Sequence, residues 1–201
     1  MCPATAVTER PCNLLLRNKR APQRGFTMTE LLITMAILGI LGTIAVPGML
    51  NVVQTNQRVS ATNDLAQTMR MARSEAIARN QRVVVCASRD GNNCGTAADW
   101  SFGWIGFNDA DGDGAPGGAD ESILLHSTGA SKITIRPRTF GNTFTYRPNG
   151  RVMANSVDEN TGEFVFCDDR GSQEARVLSV GSSGRPQLSH THANGAAPDC
   201  S

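Results

Sequence analysis

Residues 31–50 read LLITMAILGILGTIAVPGML and contain no charged side chain. Twenty residues at about 1.5 Å each span about 30 Å, the hydrocarbon thickness of one bilayer. A buried helix in a soluble domain is usually shorter and mixed in character. A secretory signal peptide would carry a shorter apolar stretch closed by a small-residue cleavage site, and no such site ends this run. The segment therefore predicts one membrane-spanning helix.

Charge divides at the same place. The chain carries 19 basic and 18 acidic residues, a net of +1. Arg10, Arg17, Lys19, Arg20 and Arg24 precede the apolar run against the single acid Glu9, so residues 1–25 alone hold about +4. Residues 26–201 keep 14 basic and 17 acidic residues, net −3. The basic flank predicts a cytoplasmic N-terminus and a C-terminal region across the membrane. The acidic remainder argues against a strongly basic nucleic-acid binder. Cys2 and Cys12 lie before the apolar run, and Cys86, Cys94, Cys167 and Cys200 lie after it. Four separated cysteines outside the cytoplasm predict two disulfides, and none has the close spacing of a structural zinc site. Of the three pairings open to them, we expect Cys86–Cys94, closing a short loop, and Cys167–Cys200, tying the C-terminal segment back to a strand.

The entry to the apolar run is more specific: Arg24-Gly25-Phe26-Thr27-Met28-Thr29-Glu30-Leu31-Leu32. A lone carboxylate near the start of a membrane helix is costly unless it has a partner. Cleavage after Gly25 would create an α-amine on Phe26, about one helical turn from Glu30. In a filament that amine can belong to the next subunit. This stretch closely resembles the class III signal of type IV pilin-like proteins. The resemblance implies cutting by a prepilin peptidase between Gly25 and Phe26, N-methylation of Phe26, and a role for Glu30 in subunit addition.

Pro47 falls inside the apolar helix and is expected to kink it. From residue 51 to 80 the helical pattern becomes amphipathic, with Val59, Thr62, Leu65, Ala66, Met69, Ala72, Ala76 and Ile77 on one face. Arg58, Arg70, Arg73 and Arg79 are expected on the other face, in water. Beyond residue 81 the period shortens. Strands are predicted at 82–86, 104–107, 122–125, 132–136, 143–146, 163–167, 176–180 and around 187–188. The expected architecture is α+β, a long N-terminal transmembrane and amphipathic helix packed on an antiparallel β-sheet domain. Its parts are a cleaved leader (1–25), a membrane half-helix (26–53), an amphipathic half-helix (54–80) and a β-rich region (81–201).

Several internal stretches are similar to the GspH/FimT branch of pilin-like proteins, which holds minor pseudopilins of type II secretion and minor pilins of type IV pili. They are residues 71–80 with Val83-Val-Val-Cys86, Gly103-Trp104-Ile-Gly-Phe107-Asn-Asp109, the turn from Tyr146 to Arg151, and Phe166-Cys167 with Ser183-Gly184-Arg185 and Cys200. The resemblance implies a subunit that helps initiate or cap a secretion pseudopilus or a pilus. Its implied partners are other pilins or pseudopilins, the prepilin peptidase, the inner-membrane assembly platform and membrane lipid. Its implied location is the bacterial inner membrane, single-pass with a periplasmic domain, and then a periplasmic pseudopilus or a surface pilus. The alternative is a pilus-borne DNA receptor. DNA-binding members carry a G-R-x-R motif, of which Gly184 and Arg185 remain while Gln187 stands at the second arginine.

Two other patterns invite chemistry. Asp109, Asp111 and Asp113 have the alternate spacing of a calcium loop, with Asp120 at the twelfth position. The flanking helices of an EF-hand are missing from the pattern, so a solvated turn is expected, with calcium the alternative. His126, His190 and His192 form no catalytic set, and the last two are expected to be exposed tail residues. No nucleophile elbow, phosphate loop or helical metal pair occurs in the chain. The chain is not expected to be an enzyme or to need a cofactor.

Overall fold

The computed structural model of the chain describes residues 25–97, 99–117, 123–129, 132–153 and 162–200. Residues 1–24 of the expected leader therefore lie outside the described residues, as do Asp120 and Ser122. One helix, α1, runs from Met28 to Arg79. The chain divides into two units, one through Val46 and one from Pro47 onward.

In the first unit, α1 begins with a defined cap. The Thr27 hydroxyl accepts the Glu30 N–H at 3.2 Å, and the Thr27 carbonyl accepts the Leu31 N–H at 3.2 Å. Thr27 is thus the N-cap and Glu30 stands at the third helical position, where a carboxylate also meets the positive end of the helix dipole. Farther along, Thr34 and Thr43 donate to the carbonyls of Leu31 and Ile40 at 2.9 and 2.7 Å. The helix thereby satisfies its own hydroxyls, as an apolar surround requires. Its large side chains are open, Leu32 at 69% and Ile44 at 72%. A surface this apolar needs lipid or other subunits to cover it.

In the second unit, the rest of α1 lays one face on β structure. Ala61, Thr62, Leu65, Ala66, Met69, Ala72 and Ala76 are buried. The helix stops in a Schellman arrangement: Gln81 N–H bonds the Ala76 carbonyl and Asn80 N–H bonds that of Ile77. Asn80 takes the left-handed conformation this needs, at φ 53°.

Among the described residues nine strands form two antiparallel sheets, in keeping with the antiparallel β domain expected. The first sheet contains β1 (Arg82–Ala87), β2 (Gly103–Asp109), β3 (Ile123–Thr128), β5 (Thr143–Tyr146) and β6 (Val152–Met153), in the order β3-β2-β1-β5-β6. The second contains β4 (Thr134–Pro137), β7 (Gly162–Cys167), β8 (Arg176–Val180) and β9 (Pro186–Ser189), in the order β4-β7-β8-β9. The two-residue β6 was too short to show a period, and β4 begins two residues later than expected because Lys132 lies in a turn.

The chain has only ten aromatic residues, and eight of them are buried: Trp100, Trp104, Phe107, Phe140, Phe144, Tyr146, Phe164 and Phe166. Trp100 meets Phe164 edge-on at 4.9 Å, and Phe144 meets Tyr146 edge-on at 5.5 Å. The Trp104 indole donates to the Thr68 hydroxyl at 2.9 Å, tying β2 to α1 without leaving a buried donor unpaired. Central strand β1 is buried on both faces. Val83 and Val85 join the main core, while Val84 and Cys86 pack with Ile105 and Phe107 beneath Cys94.

Candidate functional site

Three local features carry the functional reading. At the helix start, Phe26 and Glu30 are exposed, and among the described residues nothing hydrogen-bonds the Glu30 carboxylate. The Thr27-Met28-Thr29-Glu30 spacing is itself a capping signature. That signal was present in the sequence, and it places Glu30 in the first turn of the helix, where its N–H is capped by Thr27.

The second feature fastens α1 to the β domain. The Arg58 guanidinium bonds the Asp168 carboxylate at 2.8 Å, and both side chains are only 2% exposed. Arg170 closes on the same carboxylate at 2.6 Å, reaches the Thr55 hydroxyl at 3.0 Å, and lies 4.0 Å from Glu174. Arg58 also reaches Glu174 at 3.3 Å. Burial opposes the charge on Asp168, but hydrogen bonds from Arg170 and the positive charge of Arg58 outweigh it. Together they hold the carboxyl below its ordinary range. This corrects the expectation that Arg58 stands in water. Arg73, too, is only partly exposed, and its Nε donates to the Gly150 carbonyl at 3.0 Å. In exchange, Ile77, expected in the core, is 49% exposed.

Among the described residues two disulfides are formed. Cys86 and Cys94 are joined with their Cα atoms 5.5 Å apart, and Cys167 and Cys200 with theirs 5.8 Å apart. The second bridge lies next to Asp168 in sequence and packs with Val165 and Ala175. Upstream in the C-terminal segment, His192 is buried. Its Nδ1 lies 2.6 Å from Glu163 Oε2, and the Ala193 N–H bonds Glu163 Oε1 at 2.7 Å. It is therefore not an exposed tail residue, whereas His190 is exposed and His126 lies against Gly91 on another part of the surface.

The third feature is the pair of turns holding Gly150 and Gly184. Both glycines have φ of 74°. The Tyr146 hydroxyl donates to the Gly184 carbonyl at 3.0 Å. A Cβ on Gly184 would strike the Gly150 carbonyl, so only glycine fits there. Gly184 thus has a structural reason to be present, apart from any ligand. Arg185 beside it is exposed and shares a groove with Arg70 and Arg73.

The aspartate loop after β2 satisfies itself locally. Asp109, Asp111 and Asp113 bring carboxylate oxygens within 4.8 Å of one another. Asp109 accepts the Gly114 N–H at 3.2 Å, Asp111 that of Asp113 at 3.1 Å, and Asp113 that of Ala115 at 2.7 Å. Arg82 also approaches Asp109, at 3.8 Å.

An apolar helix long enough to cross a membrane, in a chain whose remaining helix half is packed on antiparallel sheets, defines the pilin-like class of filament subunits. The model of the family described as type II transport protein GspH matches residues 61–184, so the chain belongs to the GspH family. The prokaryotic N-terminal methylation motif matches residues 20–46. A curated relative, the type IV major fimbrial protein FimA of Dichelobacter nodosus, is 35% identical over 114 residues, which is 57% of this chain. The match spans 62% of that relative's own length. Among solved structures, the type IV minor pilin FimU of Pseudomonas aeruginosa has a similar fold, with TM-score 0.55 and 23% identity. That likeness covers 75% of this chain and 99% of the other.

Proposed function

We propose that the chain is a minor pseudopilin or minor pilin that helps initiate or cap assembly of a type II secretion pseudopilus or a type IV pilus. It is made as a precursor, cut by a prepilin peptidase between Gly25 and Phe26, and methylated on the new Phe26 amine. Helix α1 then holds it in the bacterial inner membrane with the β domain in the periplasm, until the assembly platform moves it into the filament.

The observation that carries this reading is Glu30. It is an unpartnered carboxylate in the first turn of an otherwise apolar, exposed helix, one turn from the amine that cleavage would create. Among the described residues of its own chain, nothing neutralises it. A neighbouring subunit's amine would, and an ion pair is strongest where water is scarce.

The test is to express Glu30→Ala and Glu30→Gln in the native host. Both should be cut normally and enter sheared filaments poorly, and Gln should fare no better than Ala because it keeps the shape but not the charge. Wild-type incorporation of either variant would defeat the reading. The family match lends no support to the alternative of DNA capture.

A further inference from the structure

Arg70, Arg73 and Arg185 line one groove of about 360 Å³ together with Ser74, Ile77 and Pro186. None of these lining residues is acidic. Among the described residues no carboxylate pairs with any of the three arginines, although the chain elsewhere pairs Arg58, Arg79, Arg82, Arg89 and Arg170. Arg70 and Arg73 are three apart on α1, so they face the same side and repel. Arg185 arrives from the turn between β8 and β9 and adds a third like charge. Three like charges around one groove repel one another, and an anion that enters is attracted by all three.

The groove is also built rather than casual. Arg73 is held through Nε by its bond to the Gly150 carbonyl, and that bond does not use its two terminal nitrogens. Gly150 and Gly184 let the two turns approach, and a Cβ on Gly150 would meet the Ile77 side chain at 2.7 Å. Ile77 and Pro186 give the groove an apolar lining beside its cations. Arg185 also borders an adjoining groove of about 460 Å³ lined by Arg138 and by the acidic Glu163, so the purely basic lining is confined to the first opening.

We propose that this groove binds an acidic peptide segment presented by a neighbouring filament subunit, an inference that rests on the filament-subunit reading above. Guanidinium forks match carboxylates two bonds at a time, and the apolar lining suits the aliphatic parts of a peptide. Duplex DNA fits less well. Phosphate binding draws on an extended positive field, and the chain beyond residue 25 carries 14 basic against 17 acidic residues.

The full chain in detergent micelles is titrated, at low salt, against a labelled hexapeptide of alternating Asp and Gly, its Asn-Gly counterpart, and a labelled DNA duplex, with fluorescence anisotropy as readout. The Asp peptide should bind and the Asn peptide should not. The double variant Arg70→Ser with Arg185→Ser, both at exposed positions, should weaken the Asp peptide by roughly tenfold or more. The single variant Arg70→Gln provides the same comparison if the double one fails to fold by circular dichroism. Absent binding of the Asp peptide, or binding unchanged in these variants, overturns the proposal. Tighter binding of the duplex, lost in the same variants, overturns it in favour of a nucleic-acid surface. Either failure with Glu30-dependent incorporation intact removes the groove assignment and leaves the subunit reading standing.

Discussion

Arg58 on α1 and Asp168 after β7 lie 110 positions apart in the chain and meet at 2.8 Å with both side chains 2% exposed. Two buried charges are costly to desolvate, and the pair is held because Arg170 and Glu174 add further bonds around it. The contact fastens the helix to the segment that also carries the Cys167–Cys200 bridge.

Removal of one partner should therefore harm the fold more than removal of both. Asp168→Ala leaves the buried Arg58 guanidinium with only the half-exposed Glu174 and is expected to cost about 3 kcal/mol. Arg58→Met with Asp168→Leu should recover much of that loss. Denaturant unfolding of the detergent-solubilised chain measures both, and equal losses would show that the pair is not the unit that matters.

Acid should loosen the same clamp. Asp168 has a folded pKa below its ordinary carboxylate value near 3.9. A lowered folded pKa gives stability that is present above the unfolded value and is lost as pH falls through the folded one. Stability should hold above about pH 5 and decline below about pH 4. In Asp168→Asn the decline should be shallower, starting from a less stable protein. Thermal melts at stepped pH provide the comparison, and an unaltered slope would exclude Asp168 as a contributor.

The two disulfides should contribute unequally. Cys86–Cys94 closes a separation of 8 residues and Cys167–Cys200 one of 33. In the chain-entropy account the longer loop is worth about 3.7 kcal/mol and the shorter about 2.5 kcal/mol. Paired Cys→Ser variants, melted without reductant, should rank in that order. Non-reducing peptide mapping checks the pairing, and a Cys94–Cys167 peptide would contradict it.

Processing leaves a mass signature. Membrane-extracted protein should begin at Phe26 and carry one methyl group on that amine. An intact Met1 terminus in cells with active prepilin peptidase would refute the cleavage site.

Residues near one another in the chain are legible from sequence because their signals are local. The apolar run has the length of a bilayer, and the Gly25-Phe26 junction and Glu30 sit at fixed short spacings from it. The period changes after the helix and again marks β1, β5 and β8 from their own residues. Other features depend on partners far along the chain. A helical wheel places Arg58 among solvent-facing arginines, and only the approach of Asp168 makes its burial tolerable. His192 reads as a tail residue until Glu163 on β7 meets it at 2.6 Å. The division into two sheets follows from strand partners, with β5 returning beside β1 and β4 crossing to β7, which no local period encodes. The groove of Arg70, Arg73 and Arg185 likewise joins one helix face to a turn more than a hundred residues later. Periodicity and short motifs record what each segment buries. Which charges are paired, and which are left facing a groove, is settled only when the chain closes on itself.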